Sequence, residues 1–313
     1  MYKCQVCQNE LNNVLYIGEE RMFGMKDKFQ YFKCSNCGCL QIASIPSNMN
    51  KYYPNNYYSY TTELKLKSLK SKIAHSLLKR VIAVRLGHID FIGVLALVYN
   101  RYYHDVYPYL DKSICDFDST ILDIGCGNGF FLNYLNGLGF TNLTGIDPFL
   151  ESDIYYPNGV KVLRKSISEL EGTYKVIMLH HSFEHMSEPL DVFCYLNRLL
   201  ETDGTLIIRI PLTDGYAWRK YGMHWYQVDA PRHFFLHTQK SISILAKSSN
   251  LKVVKVEFDS TGAQIINSEK YLNNIAFIDD FSISDEKCKA ANNKANELNL
   301  LMDGDQACFY LKK

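Results

Sequence analysis

The chain of 313 residues is long enough for one large domain or two modest ones, and its 47% of hydrophobic residues supply ample material for a buried core. Its net charge of +1 argues against a general nucleic-acid binder, which would carry an excess of basic residues. No apolar run approaches the roughly 20 residues needed to span a bilayer, and the N-terminus shows no secretion-signal pattern. A cytoplasmic protein without a transmembrane segment is therefore expected.

Residues 1–48 contain two Cys-x-x-Cys pairs separated by 26 residues. Each pair clasps an ion from a tight turn, and two pairs complete a closed tetrahedral zinc site. The expected ligands are Cys4, Cys7, Cys34 and Cys37. Pairs of this kind among the ten cysteines favour reduced thiols and a metal over a secreted disulfide framework. The main interpretation is that the metal stabilises a module too small to form its own hydrophobic core. The alternative is that the module is a zinc ribbon that contacts nucleic acid or substrate.

Residues 49–112 form a second region with two features. Five tyrosines lie within residues 51–60, where they either line a ring-stacking pocket or dock the cysteine module on the main domain. Between Glu63 and Asp90 there is no other acidic residue, and apolar residues recur at helical spacing among lysines and arginines. This pattern predicts a basic amphipathic helix. The helix either packs on the core with a solvated face or contacts an anionic membrane or a phosphorylated carrier.

At residues 121–131 an apolar strand runs directly into a three-glycine turn and then a helix. Glycines allow positive φ and let a ligand approach the main chain closely. The G-x-G-x-G spacing differs from the G-x-G-x-x-G spacing of dinucleotide sites. Asp123, just before the turn, would repel a pyrophosphate and attract an ammonium group, and Asp147 is placed to bind both ribose hydroxyls. An amino-acid group joined to a ribose indicates S-adenosylmethionine (SAM).

The sequence Leu-Asp-Ile-Gly-Cys-Gly-Asn-Gly at residues 122–129, with the acid downstream, resembles motif I of class I SAM-dependent methyltransferases. The resemblance implies a Rossmann-like α/β sheet over residues 113–313, mostly parallel with the last strand antiparallel. It implies adenine contacts from Ser166 and Ile167, although many members of the family have an Asp where Ser166 aligns. The other residues implied in cofactor binding are Asp123, Gly125, Cys126, Gly127, Asn128, Gly129, Asp147, Pro148 and His180.

A four-cysteine module before the catalytic domain is similar to that of a subset of bacterial class I methyltransferases. This resemblance implies SAM and a structural Zn²⁺, with a small hydrophilic acceptor such as a sugar or nucleotide-sugar of surface-polysaccharide or natural-product biosynthesis. No nucleic-acid partner is then expected, and the chain would be a monomer or a homodimer. RNA or protein methylation, and an inactive zinc-ribbon binding module, are the alternatives.

The predicted fourth strand, residues 174–180, leads into a histidine-rich segment, and six of the nine histidines lie between residues 180 and 237. The carboxyl edge of a parallel sheet is where α/β folds place their chemistry. The segment also matches the H-x-x-E-H pattern of inverted zinc proteases, but that motif needs a continuous helix and here a strand feeds into it. The peptidase interpretation is therefore disfavoured.

Histidine is suited to general-base catalysis near pH 7. His181 is the first candidate because it directly follows the fourth strand, and His185 and His233 are the others. His233 lies in Asp-Ala-Pro-Arg-His, which resembles a stretch after strand five in the same methyltransferase subset. Glu184 is the expected orienting carboxylate, with a purely structural role for Glu184 and His185 as the alternative.

Two insertions are expected within the catalytic domain. Residues 212–238 are dense in aromatic and imidazole groups, which predicts a substrate lid in which Trp225 and Tyr226 contact the acceptor. Residues 263–302 have a helical pattern before the last short strand. This second insertion serves either the lid or a dimer contact, and the sequence does not choose between them.

Overall fold

The computed structural model describes residues 2–53, 69–99 and 111–313. Most of the tyrosine-rich segment and the start of the predicted basic helix lie outside these residues. The strands are β1 (Val14–Glu19), β2 (Lys28–Lys33), β3 (Leu40–Ile42), β4 (Ile121–Ile124), β5 (Leu143–Ile146), β6 (Ile154–Tyr155), β7 (Lys161–Leu163), β8 (Tyr174–His180), β9 (Leu200–Pro211), β10 (Phe235–Leu236), β11 (Lys252–Phe258) and β12 (Gln306–Lys312). The α-helices are α1 (Leu69–Arg85), α2 (Phe91–Tyr99), α3 (Phe130–Leu138), α4 (Pro189–Leu199), α5 (Tyr216–Tyr221), α6 (Gln239–Ser248), α7 (Ala263–Leu272) and α8 (Asp285–Leu300). Short 3-10 turns are formed by Met49–Tyr52, Ile167–Glu169, Phe183–His185, Gly222–His224 and Tyr226–Val228.

The chain divides into two compact units that do not follow chain order. Unit 1 contains the described residues of Met1–Pro54, His181–Asn197 and Ile208–Leu311. Unit 2 contains those of Asn55–His180, Arg198–Ile207 and Lys312–Lys313. This grouping differs from the linear division at residues 48 and 112 expected from sequence, because the N-terminal module shares a sheet with much later residues.

The sheet of unit 2 is the part of the fold that carries the glycine-rich motif. Its strands follow the order β9, β8, β4, β5, β7, β6, with the first part of β9 belonging to this unit. Strand β4 pairs in parallel with β5 and β8, β5 pairs in parallel with β7, and the short β6 is antiparallel to its neighbour β7. All four residues of β4 are buried, as is typical of a parallel sheet covered on both faces. The predicted Rossmann-like, mostly parallel fold is confirmed.

The three glycines after β4 adopt the left-handed conformation that the sequence pattern predicts. Gly125, Gly127 and Gly129 have φ values of 75°, 54° and 77°. At Gly129 a Cβ atom would lie 2.5 Å from Cγ2 of Val162, so close approach of β7 adds to the conformational requirement. Position 129 therefore favours glycine for two reasons, the positive φ and the lack of space for a Cβ atom.

Unit 1 contains a four-stranded antiparallel sheet that completes the cysteine module. Its order is β1, β2, β3, β10, and β10 comes from the aromatic insertion 212–238. The buried side chains around this sheet are Tyr31, Leu40, Ile42, Ala217, Trp218, Tyr221, Trp225, Val228, Ala230 and Leu236. The aromatic density that predicted a substrate lid is thus accounted for by a shared core, since large rings bury much apolar area.

The last part of β9 also belongs to unit 1, where the strand order is β11, β12, β9. The final strand β12 therefore lies between β11 and β9. The insertion at residues 263–302 consists of two helices, α7 and α8, separated by residues 273–284. In the part of the chain that the structure describes, no helix is long and apolar enough to cross a membrane.

Replacing Gly129 with alanine is expected to lower the free energy of unfolding by about 2–4 kcal/mol, because the new methyl group meets Val162 and the positive φ becomes strained. The matched control is Gly159→Ala, where φ is 90° and no heavy atom lies within 4 Å of the new Cβ. The control should lose only about 1 kcal/mol. Urea denaturation measures both losses, and equal losses would contradict the steric role of Gly129.

Candidate functional site

Asp123, at the end of strand β4 in unit 2, is a buried acid with a strongly shifted pKa. The residue is only 4% exposed, and no described basic side chain forms an ion pair with it. Burial, followed by the nearby charge of Asp147, raises the pKa of Asp123 to about 7. A cationic ligand group would relieve both effects. The environment therefore suits the ammonium group predicted from the sequence.

Asp147 follows β5, which pairs in parallel with β4, so the two acids stand at the same edge of the sheet. One of its carboxylate oxygens accepts a hydrogen bond from the backbone N–H of Gly127 at 3.0 Å. The other oxygen accepts a hydrogen bond from the N–H of Phe149 at 2.9 Å. The acid that the sequence assigns to ribose binding also fixes the glycine turn.

Two other residues of the turn, Cys126 and Asn128, have side chains that contact neighbouring parts of unit 2. The thiol of Cys126 packs on β5, since a Cβ atom placed on Gly145 would lie 2.4 Å from its sulfur. The side-chain oxygen of Asn128 accepts a hydrogen bond from the N–H of Phe130 at the start of α3. The carbonyl of Asn128 accepts a hydrogen bond from the hydroxyl of Tyr156 at 2.6 Å, a contact that nothing in the local sequence indicates. The backbone N–H groups of residues 125, 126, 127 and 129 also donate hydrogen bonds within the chain, so what the turn offers a ligand is close approach at its glycines.

The remaining cofactor candidates lie after β5, β7 and β8. Pro148 follows Asp147 in sequence and is exposed. Ser166 precedes the 3-10 turn that starts at Ile167, and both its N–H and its hydroxyl donate hydrogen bonds to Glu169, at 2.7 and 2.6 Å. The His180 ring ends β8 and packs edge-on against Phe131, with ring centroids 5.2 Å apart. Ser166 is thus held in place by a local capping interaction.

In unit 1 the four predicted metal ligands come together. Their sulfur atoms all lie within 4.8 Å of one another, and Cys4 to Cys37 and Cys7 to Cys34 are each 3.5 Å apart. Sulfurs at about 2.3 Å from a tetrahedral zinc ion stand about 3.8 Å apart, so the cluster has the dimensions of such a site. The hydrogen bond between Cys4 and Cys37 lowers the pKa of the Cys4 thiol and raises that of the Cys37 thiol, so Cys4 is the readier of the two to form a thiolate. The residues fit a closed structural zinc site.

His181, the first residue after β8, is held at both ring nitrogens. The guanidinium of Arg209 donates a hydrogen bond to Nε2 at 2.8 Å, and Nδ1 lies 3.3 Å from a carboxylate oxygen of Glu184. Because Arg209 has no acceptor capacity, Nε2 carries the lone pair and Nδ1 carries the proton. Arg209 is in turn paired with Asp259. The side chain of His181 is 32% exposed, so the imidazole is accessible.

Glu184, His185 and His233 form a second cluster, in which one ligand atom from each residue lies within 4.8 Å of the others. Burial alone would raise the pKa of Glu184, but the surrounding imidazoles, that of His181 first, lower it to about 2. Burial, together with His185, lowers the pKa of His233 to about 4. At neutral pH the cluster therefore contains a carboxylate and an uncharged His233.

A buried arginine that sequence reasoning missed lies next to this cluster. Arg232 is fully buried and pairs with Asp229 at 2.6 Å and with Glu20 at 2.9 Å. Arg209 was missed as well, although it is the one charged side chain within the apolar strand segment 206–210, which was an available signal. The acid Glu20 carries no comparable signal, because it lies more than 200 residues away in sequence.

The two predicted acceptor contacts in the insertion have different surroundings. Trp225 is fully buried, and its indole N–H donates a hydrogen bond to Asp305 at 2.9 Å. This burial leaves Trp225 no surface to offer an acceptor, contrary to the expectation, because the ring fills the core beside the cysteine module. Tyr226 is partly buried and its hydroxyl accepts a hydrogen bond from the Gln227 amide at 3.0 Å.

Comparison with known proteins finds one matching family model, described as a methyltransferase domain, over residues 98–256. EEF1A lysine methyltransferase 2 of Homo sapiens is 36% identical over 85 residues, which are 27% of this chain and 33% of that protein. The tRNA U34 carboxymethyltransferase of Mannheimia succiniciproducens is 27% identical over 186 residues, covering 52% of this chain and 54% of that protein. A SAM-dependent methyltransferase structure from Archaeoglobus fulgidus aligns with a TM-score of 0.41 and 18% identity, covering 72% of this chain and 100% of that one. The chain thus spans between a third and about half of the length of these two curated relatives.

The affinity for SAM is expected to fall as the pH is lowered through the raised pKa of Asp123. Only the carboxylate form pairs with an ammonium group, so below about pH 7 a proton competes with the ligand. The dissociation constant should then approach a tenfold increase per pH unit. Calorimetry between pH 5.5 and 8.5 measures this, with Asp123→Asn as the control that binds weakly at every pH. A pH-independent affinity of the unmodified chain would contradict the role of Asp123.

Proposed function

Because the chain belongs to the family of SAM-dependent methyltransferase domains, we propose that it methylates a hydroxyl group of a small hydrophilic acceptor, such as a sugar or nucleotide-sugar. When bound, SAM would supply an electrophilic methyl group, and its in-line displacement by an acceptor oxygen would release S-adenosylhomocysteine. Such a displacement depends mainly on holding the two reactants in line and excluding water. Asp123 and Asp147 are the proposed holders of the amino-acid and ribose parts of the cofactor.

The acceptor proposal depends on a group of polar side chains in contact with His181, the first residue after β8. His181, Arg209 and Asp259 form a connected, partly exposed set of hydrogen-bonding groups in unit 1. An apolar or aromatic acceptor would remove water from the exposed parts of these groups without offering hydrogen bonds in exchange, which is costly. An acceptor rich in hydroxyl groups can exchange hydrogen bonds with them instead. This chemistry supports a carbohydrate-like acceptor.

His181 is the proposed general base. Its Nε2 lone pair is oriented by the Arg209 hydrogen bond, and its Nδ1 proton faces the Glu184 carboxylate. An acceptor hydroxyl that replaces Arg209 at Nε2 would give its proton to the imidazole as the oxygen–methyl bond forms. Glu184 would stabilise the resulting imidazolium, as a buried carboxylate does for the histidine of a serine-protease triad. Arg209 would then be free to donate to another oxygen of the acceptor.

Methylation of RNA or protein is the competing proposal, since the curated relatives named above are described as a lysine methyltransferase and a tRNA carboxymethyltransferase. This chain matches only part of the length of either relative. Its net charge of +1 also provides no excess of basic residues for binding a polyanion such as RNA. For the cysteine module we propose a bound structural zinc ion. A reducing, cytoplasmic location is proposed with it, because the thiolates must stay reduced to hold the metal.

Replacing His181 with glutamine is expected to lower kcat by about 10² to 10⁴ without changing the dissociation constant of SAM, because general-base catalysis contributes a factor of this size. The measurement is formation of S-adenosylhomocysteine and of a product 14 mass units heavier, with pools of sugars and nucleotide-sugars as acceptors. The matched control is His224→Gln, since His224 contacts Arg21 at 3.3 Å and takes no part in the His181 set.

Parallel incubations with total tRNA and with protein extract separate the competing acceptors. Methyl transfer to tRNA or protein, with none to the small-molecule pools, would contradict the proposed acceptor class. Unchanged kcat in His181→Gln would contradict the proposed base while leaving the acceptor class intact.

A further inference from the structure

The cluster of Glu184, His185 and His233 presents two imidazoles and one carboxylate around a common point in unit 1. One ligand atom from each of the three residues lies within 4.8 Å of the others, although His233 is 48 residues from its nearest partner in sequence. We propose that these three residues bind a divalent first-row transition-metal ion, in a second metal site separate from the four cysteines. The proposal concerns metal binding alone and does not depend on the identity of the acceptor.

The hydrogen bonds of the two histidines prepare both rings for metal binding. Nδ1 of His185 lies 2.8 Å from the carbonyl oxygen of Arg232, and Nδ1 of His233 lies 2.7 Å from the carbonyl oxygen of Gln227. Since a carbonyl only accepts, each Nδ1 carries the proton and each Nε2 carries a lone pair. Metal-bound histidines characteristically donate their other N–H to a carbonyl or carboxylate in this way. The hydroxyl of Tyr53, 3.3 Å from Nδ1 of His185, adds a second contact on the same side.

The carboxylate of Glu184 is the strongest sign of a missing partner. Glu184 is fully buried, and neither of its oxygens makes a hydrogen bond of good geometry to a described residue. Nδ1 of His181 lies 3.3 Å from Oε1, which leaves Oε2 available to an ion. Buried carboxylates are normally satisfied by several donors or by a cation. A bound metal would supply that interaction.

The charges packed around the cluster also call for a cation. Asp229 and Glu20 surround the single buried guanidinium of Arg232, so this group carries one excess negative charge. Glu184 adds another. Asp229 is not itself a candidate ligand, because both of its oxygens accept hydrogen bonds from Arg232. A divalent ion at the cluster would balance the buried negative charge.

The donor set indicates what kind of ion fits. Two imidazoles and one carboxylate suit zinc, iron(II) or cobalt(II), and three protein ligands leave coordination positions open for water or another oxygen. Donor atoms at about 2.1 Å from one ion stand roughly 3.4 Å apart, so binding requires a modest closure of the side chains. The site therefore differs from the cysteine cluster, which has four ligands and no open position.

The ligand set also differs from the protease motif in the sequence. In H-x-x-E-H both histidines and the acid face one metal from a continuous helix. Here Phe183–His185 is a 3-10 turn two residues after strand β8. The second histidine ligand is His233, whereas in the protease motif it would be His181. A content of two metal ions per chain would therefore not indicate a peptidase.

Metal content of the full-length chain, purified with Zn²⁺ present and dialysed, tests the proposal by elemental mass spectrometry. The unmodified chain should retain two equivalents of zinc. Glu184→Gln and His233→Gln should each retain one, which remains on the cysteines and reports that the fold is intact. Cys34→Ser should lose the other equivalent, and the control His224→Gln should retain two.

One equivalent in the unmodified chain would overturn the proposal, and so would two equivalents in both cluster variants. Because zinc is counted without SAM or any acceptor, a failed acceptor screen leaves this result unaffected. Titration of the metal-free chain with Co²⁺ gives a second measurement. A cobalt absorption component that is lost in His233→Gln and kept in Cys34→Ser is expected, and its absence would contradict the second site.

Discussion

Two buried carboxylates at the ends of adjacent parallel strands set the main constraint on unit 2. Asp123 and Asp147 are brought to one edge of the sheet by the parallel pairing of β4 with β5. Burial and the nearby charge of Asp147 make the ionised form of Asp123 unfavourable until a positive group is present. The glycine turn depends on the same acids, because Asp147 accepts the hydrogen bond that fixes Gly127. The loop geometry and the proposed cofactor binding would thus both depend on one arrangement of acids.

Unit 1 is held together by a different requirement. A module of about 48 residues cannot bury enough apolar surface by itself, and the four cysteines supply only one fixed point. The remaining core comes from the aromatic insertion, which adds β10 to the sheet of the module and places Trp218 and Trp225 against it. The same insertion carries Arg232 and His233 toward Glu184 and His185. The packing that completes the module therefore also assembles the histidine cluster.

The sequence predicted best where the information is local. The strand, the glycines with positive φ and the two acids lie within 27 residues, and each follows from chain geometry or from the chemistry of the ligand. The four cysteines were likewise recognisable from spacing alone. Pairing of β10 with β3 could not be predicted, since Phe235 and Gln41 are 194 residues apart and neither segment has an unusual pattern. Aromatic density at Trp225 indicated importance but did not distinguish a substrate lid from a core.

The histidine segment shows the same limit. Sequence reasoning found His181, Glu184, His185 and His233, but assigned them to one catalytic group. The structure separates them by their hydrogen bonds. His181 is tied to Arg209, whereas Nδ1 of His185 and Nδ1 of His233 are each tied to a backbone carbonyl, and both residues cluster with Glu184. Only tertiary contacts reveal which nitrogen of each ring carries a lone pair.

A crystal structure of the full chain with S-adenosylhomocysteine bound tests the central role of the two acids most directly. The ribose hydroxyls are expected at hydrogen-bond distance, about 2.6–3.2 Å, from the Asp147 carboxylate, with the amino group of the ligand on the side of Asp123 and the glycine turn. A ligand whose ribose lies away from Asp147, or whose amino group points away from Asp123, would contradict this account.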